Sequence, residues 1–243
     1  MRSNLEVTLI AYTKFIAENA EDVGKGWKTD APDAEALSEF AGRSSYQSWS
    51  KPNPDTATNK SYLKHIIQVG HDSVLRHGTA TFYLQGVSRS FTHELIRHHV
   101  GTDYSQLSQR YVDSVGMGFV VPPAMRGIPG LEARLAKSWQ RALGEYENAV
   151  QELFERGKSR KEAREAARAF LPNCAETKIV VTGNHEAWRN VCLRRGSDQA
   201  DAEIREVAVE ILRQLKLLCP NLYQDLVICV GGDGVKTVCQ RPL

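Results

Sequence analysis

The stretch Glu94-Leu95-Ile96-Arg97-His98-His99, followed by Tyr104-Ser105-Gln106-Leu107-Ser108-Gln109-Arg110-Tyr111, concentrates groups that recognise ligands. It holds two histidines, two arginines, two serines and two glutamines. Guanidinium groups supply charge-assisted donors, while serine and glutamine add neutral donors and acceptors. That set suits a phosphate and the edge of a heterocycle. If Ser105 to Tyr111 is extended, alternation places Gln106, Ser108 and Arg110 on one face. A polar edge strand has the same pattern. On the preceding helix Ser90, His93, Glu94 and Arg97 share a side, where a solvated Glu94–Arg97 pair is the plain reading.

Two more arginine positions stand out. Trp188, Val191, Cys192 and Arg195 fall at i, i+3, i+4, i+7, so Arg195 lies on the apolar face of its helix. A buried guanidinium needs a partner, either a core carboxylate or a ligand. Arg160, Arg164 and Arg168 form an i, i+4 row, which is a solvated face or, at Arg168, a phosphate contact. Other chemistries lack their motifs. There is no Gly-x-Gly-x-x-Gly after a strand, no Walker-type loop, no Gly-x-Ser-x-Gly elbow and no His-Glu-x-x-His. The cysteines (Cys174, Cys192, Cys219, Cys229, Cys239) are odd in number and lack a C-x-x-C pair. They read as reduced thiols at or near the core, with no zinc or other metal site and no catalytic thiol.

These groups need a scaffold, and the hydrophobic pattern outlines one. Leu5 to Ile10 alternates as a half-buried strand. Gly24 to Pro32 is turn-rich. Asp33 to Ala41 reads as a short helix capped by Asp33, and Ser44 to Asn59 as a long surface loop. Thr58 or Asn59 caps a helix striped by Tyr62, Leu63, Ile66 and Ile67, and Gly70 ends it. Ala80 to Val87 is a strand, and Ser88 caps a helix running to His98 with Phe91 and Leu95 on its inner side. Phe119 to Val121 reads as a short strand and Leu131 to Phe154 as a long helix. A second helical run spans Arg160 to Phe170. Lys178 to Thr182 is a β-branched strand, and Asn184 caps the Arg195 helix. The last helix, Asp201 to Leu218, turns Ile204, Val207, Ala208, Ile211 and Leu215 inward. Gly231-Gly232-Asp233-Gly234 reads as a hairpin turn.

The totals fit one α/β (α+β) domain over residues 1–243. The chain has 243 residues, long enough to bury a core. Its net charge of +2 gives no case for nucleic acid or an anionic membrane. No apolar run is long enough to span a bilayer, and Met1 to Ile10 lacks a signal-peptide pattern. A cytoplasmic protein is the default expectation. An RNA-binding role for the Arg160–Arg168 row lacks the interleaved aromatics that base stacking needs.

Arg97-His98-x(9)-Ser108-Gln109-Arg110-Tyr111 resembles the signature of flavin-dependent thymidylate synthases, which is Arg-His-Arg, seven residues and Ser. Further blocks match in order: Phe40-Ala41-Gly42-Arg43, Tyr46 to Pro52, His71-x-Ser73-x-x-x-His77, Ser88-Arg89-Ser90, Leu171-Pro172-Asn173, Asn184, and Ala202 to Arg205. They cover about residues 5–220, leaving 221–243 as a variable tail. The resemblance implies an α/β domain working as a homotetramer with shared active sites. It also implies FAD, a uridine nucleotide substrate, and methylenetetrahydrofolate and NADPH as cosubstrates. The one-carbon unit goes to uracil C5, and no cysteine attacks the ring. Glu94, Arg97, Gln106, Ser108, Gln109 and Arg110 match the nucleotide site, and Arg168 matches an arginine that reaches it from a neighbouring subunit. Arg195 matches the catalytic arginine that steadies negative charge on uracil. Ser73, Arg97, His98 and Asn184 match flavin contacts.

Several positions depart from the family. His99 replaces its second arginine, and one residue is added before Ser108. Arg76 replaces a glutamate, Glu186 an arginine and Asn190 a histidine. Arg76 and Glu186 reverse charge in opposite senses, as a swapped pair would. Two substrates are therefore expected. The added residue near the ribose points to UMP, as in a C5-methylating paralogue of nucleoside-antibiotic biosynthesis of the polyoxin kind. An ordinary dUMP enzyme that has drifted is the other. A degenerate, non-catalytic flavin or nucleotide binder is the reading from a different class.

Overall fold

A computed structural model describes residues 1–243. In chain order the elements are β1 (Glu6–Tyr12), α1 (Ala17–Val23), α2 (Asp33–Tyr46), α3 (Asn59–Val69), β2 (Thr79–Ser88), α4 (Arg89–Leu95), β3 (Thr102–Gln106), α5 (Pro129–Glu155), α6 (Arg160–Ala167), β4 (Glu176–Asn184), α7 (His185–Arg195), α8 (Ala202–Leu218), β5 (Leu226–Val230) and β6 (Lys236–Gln240). This is an α+β chain. One sheet has the order β1-β2-β4-β3, and β5 and β6 form a separate antiparallel pair. Backbone contacts divide the chain into two compact units. The first is Met1–Thr8, Tyr83–Arg97 and Tyr104–Val180. The second is Leu9–Phe82, His98–Asp103 and Val181–Leu243.

In the first unit β2 delivers α4 directly, without a loop. Ser88 closes the strand, and its hydroxyl accepts the Phe91 N–H at 3.0 Å. That satisfies one of the helix's unpaired first-turn donors. Phe91 and Leu95 are buried below. Gly86 permits the strand to run close to the N-terminal segment: its φ is +66°, and a Cβ there would sit 1.7 Å from the Asn4 carbonyl oxygen. The long helix α5 buries Trp139 and Tyr146. Trp139 packs with Phe119, Val121 and Ala175. Ser159 and Glu162 form a reciprocal capping box at the start of α6.

The second unit is centred on α7 and α8. Ile204, Val207, Ala208, Ile211 and Leu215 are each no more than 1% exposed, the inward face that the period of 3.6 requires. Trp188 stacks edge-on to Phe82 at 5.1 Å and donates its indole N–H to the Ala80 carbonyl at 2.9 Å. Thr58 caps α3, and Gly70 ends it in the left-handed conformation at φ +70°. Arg189 of α7 meets Asp225 in a buried two-point ion pair, both contacts 2.7 Å.

Several expectations need correction. Asp33 opens α2 but does not cap it: its carboxylate takes the Phe15 N–H and Lys14 instead. α2 continues to Tyr46, so the following loop starts later than Ser44. A helix at Ala17–Val23 was not expected, since only Ala20 is buried and its apolar stripe is thin. α4 stops at Leu95, three residues short of His98. Phe119 to Val121 is no strand; Phe119 makes isolated bridges to Arg2 and Ala175. The expectation of five reduced thiols also fails. Cys229 and Cys239 form a disulfide across the β5–β6 hairpin, and Cys174, Cys192 and Cys219 are free.

Candidate functional site

In the first unit, Glu94 of α4, Gln106 at the end of β3 and Gln109 line a cavity of about 550 Å³, together with Arg89 and Asn173. β3 carries Gln106 there because Leu107 N–H pairs with the Lys178 carbonyl at 2.9 Å, extending the strand's edge by one bond. Gln106 donates its amide NH₂ to the hydroxyls of Thr92 (2.9 Å) and Thr177 (3.3 Å). Its carbonyl is then the group left to meet a ligand N–H.

Extended backbone does not continue from Ser105 to Tyr111. The chain turns at Ser108, whose carbonyl accepts the Tyr111 and Val112 N–H groups at 3.2 and 3.0 Å. Gln106, Ser108 and Arg110 are therefore not one strand face. The turn instead buries Gln109 to 7% exposure and leaves Ser108 and Arg110 half-buried. Ser108 Oγ accepts the Arg110 N–H at 3.3 Å. No imidazole or carboxylate hydrogen-bonds to it, so nothing there activates a nucleophile.

Arg89 is the residue whose role the sequence did not disclose. It stands first in α4 and lines the cavity. Burial pushes its guanidinium pKa down, and the positive charge of Arg168 adds to that effect. A guanidinium that lines a polar cavity, with a second positive charge near it, can attract an anion. Its sequence signal was present only as type, in Ser88-Arg89-Ser90 next to a cap. Arg97 and Arg168 are exposed. Of the i, i+4 row, Arg164 is committed elsewhere, to Asp113 and the Tyr111 carbonyl, each at 2.8 Å.

The second unit gathers Arg195, His98, Asn184 and Ser73. Arg195 ends α7 and is half-buried rather than fully inward. Its Nε donates to His98 Nε2 at 2.8 Å, which fixes the imidazole as the acceptor on that nitrogen. Asn184 caps the other end of α7 through Ala187 N–H at 2.8 Å. Its own N–H holds the Gly101 carbonyl at 3.0 Å. Gly101 has φ +76°, and a Cβ would lie 2.5 Å from Asn184 Nδ2, so the segment after His98 runs tight against the cap.

Ser73 sits in a 3-10 turn over Asp72–Arg76 and lines a second cavity of about 620 Å³ with Tyr46, Tyr62, His71, Arg76 and Glu186. Arg76 and Glu186 pair there through two contacts, one of them 3.0 Å. No cluster of three metal-ligating side chains occurs.

The family model described as Thy1, thymidylate synthase complementing protein, matches residues 28–221. A protein of Mycobacteroides abscessus named flavin-dependent thymidylate synthase is 49% identical over 239 residues, covering 96% of this chain and 94% of its own length. Proteins of the same name from Mycobacterium tuberculosis and Mycobacterium marinum are each 49% identical over 246 residues, covering 98% of this chain and 96% of theirs. The chain belongs to the thymidylate synthase complementing protein family.

Proposed function

We propose that this protein is an enzyme that methylates C5 of uracil in a uridine monophosphate nucleotide, with FAD as cofactor and methylenetetrahydrofolate as carbon donor. The observation that carries the reading is the cavity of Glu94, Gln106, Gln109 and Arg89 in a chain 49% identical to flavin-dependent thymidylate synthases. Arg89 supplies positive charge for a phosphate. The Gln106 carbonyl accepts an N–H of the base, and Glu94 and Ser108 offer further polar contacts. Arg97, Gln109 and Arg110 complete the set, with Arg168 reaching the site of a neighbouring subunit in a homotetramer.

Arg195 is the catalytic group. Its guanidinium opposes negative charge developing on the uracil ring. The cavity around Ser73 fits part of a flavin nucleotide. It is large enough for one, and Tyr46, Tyr62 and His71 offer flat faces beside a hydroxyl. Ser73, Arg97, His98 and Asn184 would hold FAD. When bound and reduced by NADPH, the flavin supplies the hydride. Cys192 is fully buried, and its thiol is pushed up to about 12 by burial, so Cys192 is not a nucleophile. A cytoplasmic location fits an enzyme of nucleotide synthesis. No helix is long and apolar enough to cross a membrane.

dUMP is the leading substrate, because thymidylate is the product in the relatives' name. UMP, as in a polyoxin-type paralogue, is the second reading. Its support is the added residue in the Val100 to Asp103 segment. Product analysis after incubation with FAD, NADPH and methylenetetrahydrofolate tests both. Thymidylate from dUMP is expected. A large excess of 5-methyl-UMP from UMP would support the paralogue. A purified protein that neither is yellow nor takes up FAD would be a non-catalytic binder.

A further inference from the structure

We propose that the Cys229–Cys239 disulfide is a redox-sensitive brace that holds the last turn of α7, and with it Arg195, in place. The inference rests on the reading of Arg195 as the catalytic arginine, but the brace itself is read from the hairpin. β5 and β6 pair in the register Val227↔Cys239 and Cys229↔Thr237. The two cysteines therefore lie diagonally across the ladder, and their bond closes the loop around Gly231–Gly234. A two-stranded pair that stands alone is marginal unless it is packed or cross-linked. This one lies beyond residue 221, where the family match ends, so it is an addition to the scaffold that the family model describes.

β6 is fastened to one point of α7. Val238 N–H donates to the Gly196 carbonyl at 2.7 Å, and Thr237 Oγ1 donates to the same oxygen at 2.5 Å. Gly196 is the cap of α7 and the next residue after Arg195. The contact is close: a Cβ on Gly196 would lie 2.3 Å from Val238 Cγ2. Two donors on one carbonyl fix the peptide plane between Gly196 and Ser197, one residue beyond Arg195. The residue that makes the diagonal cross-link, Cys239, is the neighbour of Val238.

The far end of the hairpin has a second attachment. Asp233 in the turn pairs with Arg205 of α8 at 2.6 Å, where the arginine side chain is 6% exposed. Arg205 Nε and Nη1 are buried without a partner. Movement of the turn therefore strips a buried guanidinium of its counter-charge, so the hairpin has one strongly preferred seat.

The cross-link is the reducible part. Cys229 and Cys239 are partly accessible, whereas Cys192 and Cys219 are buried. A small dithiol reductant transfers two electrons to the S–S bond and closes its own disulfide, and two protons end on the released cysteine thiols. Where thiols are kept reduced, a protein disulfide is usually transient, and either catalytic or redox-sensing. Release of the cross-link lets β6 fray from Gly196 and widens the range of positions open to Arg195.

The test compares FAD-loaded protein in the oxidised state, after dithiothreitol, and as the Cys229→Ser/Cys239→Ser double variant. Reduction is expected to lower kcat for dUMP by roughly ten-fold, with KM and flavin retention little changed, and reoxidation restores it. The double variant stays at the reduced level and ignores dithiothreitol. Thr237→Val, which removes one donor and leaves the disulfide, moves kcat the same way. Amide exchange of residues 192–196 is expected to speed up on reduction in the wild type alone. Because exchange is read without turnover, an inactive protein that shows this response would fault the catalytic reading and leave the brace standing. Complete reduction, verified by thiol titration, with exchange unchanged would overturn the proposal. So would faster exchange with kcat unchanged in an active enzyme.

Discussion

Arg76 and Glu186, 110 residues apart in sequence, pair through two hydrogen bonds beside the cavity that holds Ser73. The family resemblance implies the opposite charges at these positions, and a pair with its ends exchanged fits that expectation. Arg76 is 58% exposed, and solvent-screened pairs add little to stability. The effect belongs to the shape of the cavity instead. Arg76→Glu or Glu186→Arg alone places like charges together and weakens FAD binding. The double variant restores an ion pair and recovers most of the affinity. Fluorescence titration with FAD measures this. A double variant that loses flavin no less than either single one would sink the idea.

Arg195 and His98 make the second pairing of interest. Arg195→Ala is expected to lower methylation by about 10²–10³-fold, the usual cost of removing one preorganised charge-stabilising donor, with FAD still bound. His98→Ala removes the acceptor of Arg195 Nε and lowers kcat less than Arg195→Ala does. Steady-state kinetics with flavin absorbance check both. Near-normal turnover of Arg195→Ala would show that its role has been misplaced.

Arg89 gives a prediction about binding. Arg89→Ala is expected to raise KM for the nucleotide roughly ten-fold or more, because hydrogen bonds to charged groups contribute about 1.5–3 kcal/mol. Folding should change little. An unchanged KM would remove the anion site from the cavity that it lines.

Two buried groups set the pH dependence of stability in opposite directions. His185 has a pKa lowered to about 4 by burial, and its Nδ1 meets Tyr223 Oη at 2.8 Å. Its folded form resists protonation, so its contribution is full above the ordinary value of 6.5 and declines as pH falls toward 4. Glu35 is raised to about 7 by burial. Its folded form favours the proton, so its contribution is full below the ordinary value of 4.5 and is lost as pH rises toward 7. Between pH 4.5 and 6.5 the two effects oppose each other, so their net pH dependence there is shallow. In Glu35→Gln, thermal melts between those pH values should show a smaller decline on the alkaline side. Parallel curves for wild type and variant would contradict the assignment.

Sequence reasoning reached the elements whose signals are local. Ser88, Thr58, Asn184 and Gly70 mark helix ends because capping is a short-range hydrogen-bond problem, and the inward face of α8 follows from periodicity alone. The turn at Ser108 was not legible, because alternation of polar types cannot separate a strand from a strand followed by a turn. The disulfide needs Cys229 and Cys239 set at hairpin register, which the count of cysteines does not reveal. Arg195 illustrates both sides. Its spacing placed it toward the interior, but its neighbour is an imidazole that lies 97 positions earlier, and only the fold brings them together. The exchange at Arg76 and Glu186 was readable as opposite departures from a family pattern, and their contact bears out the swapped pair expected from it.

The most direct measurement is release of tritium from C5-labelled dUMP, with C5-labelled UMP in parallel, in the presence of FAD, NADPH and methylenetetrahydrofolate. Methylation at C5 must displace that hydrogen, so the account predicts release that requires flavin and the folate and is lost in Arg195→Ala. Absence of release from both nucleotides by the flavin-loaded protein would contradict it.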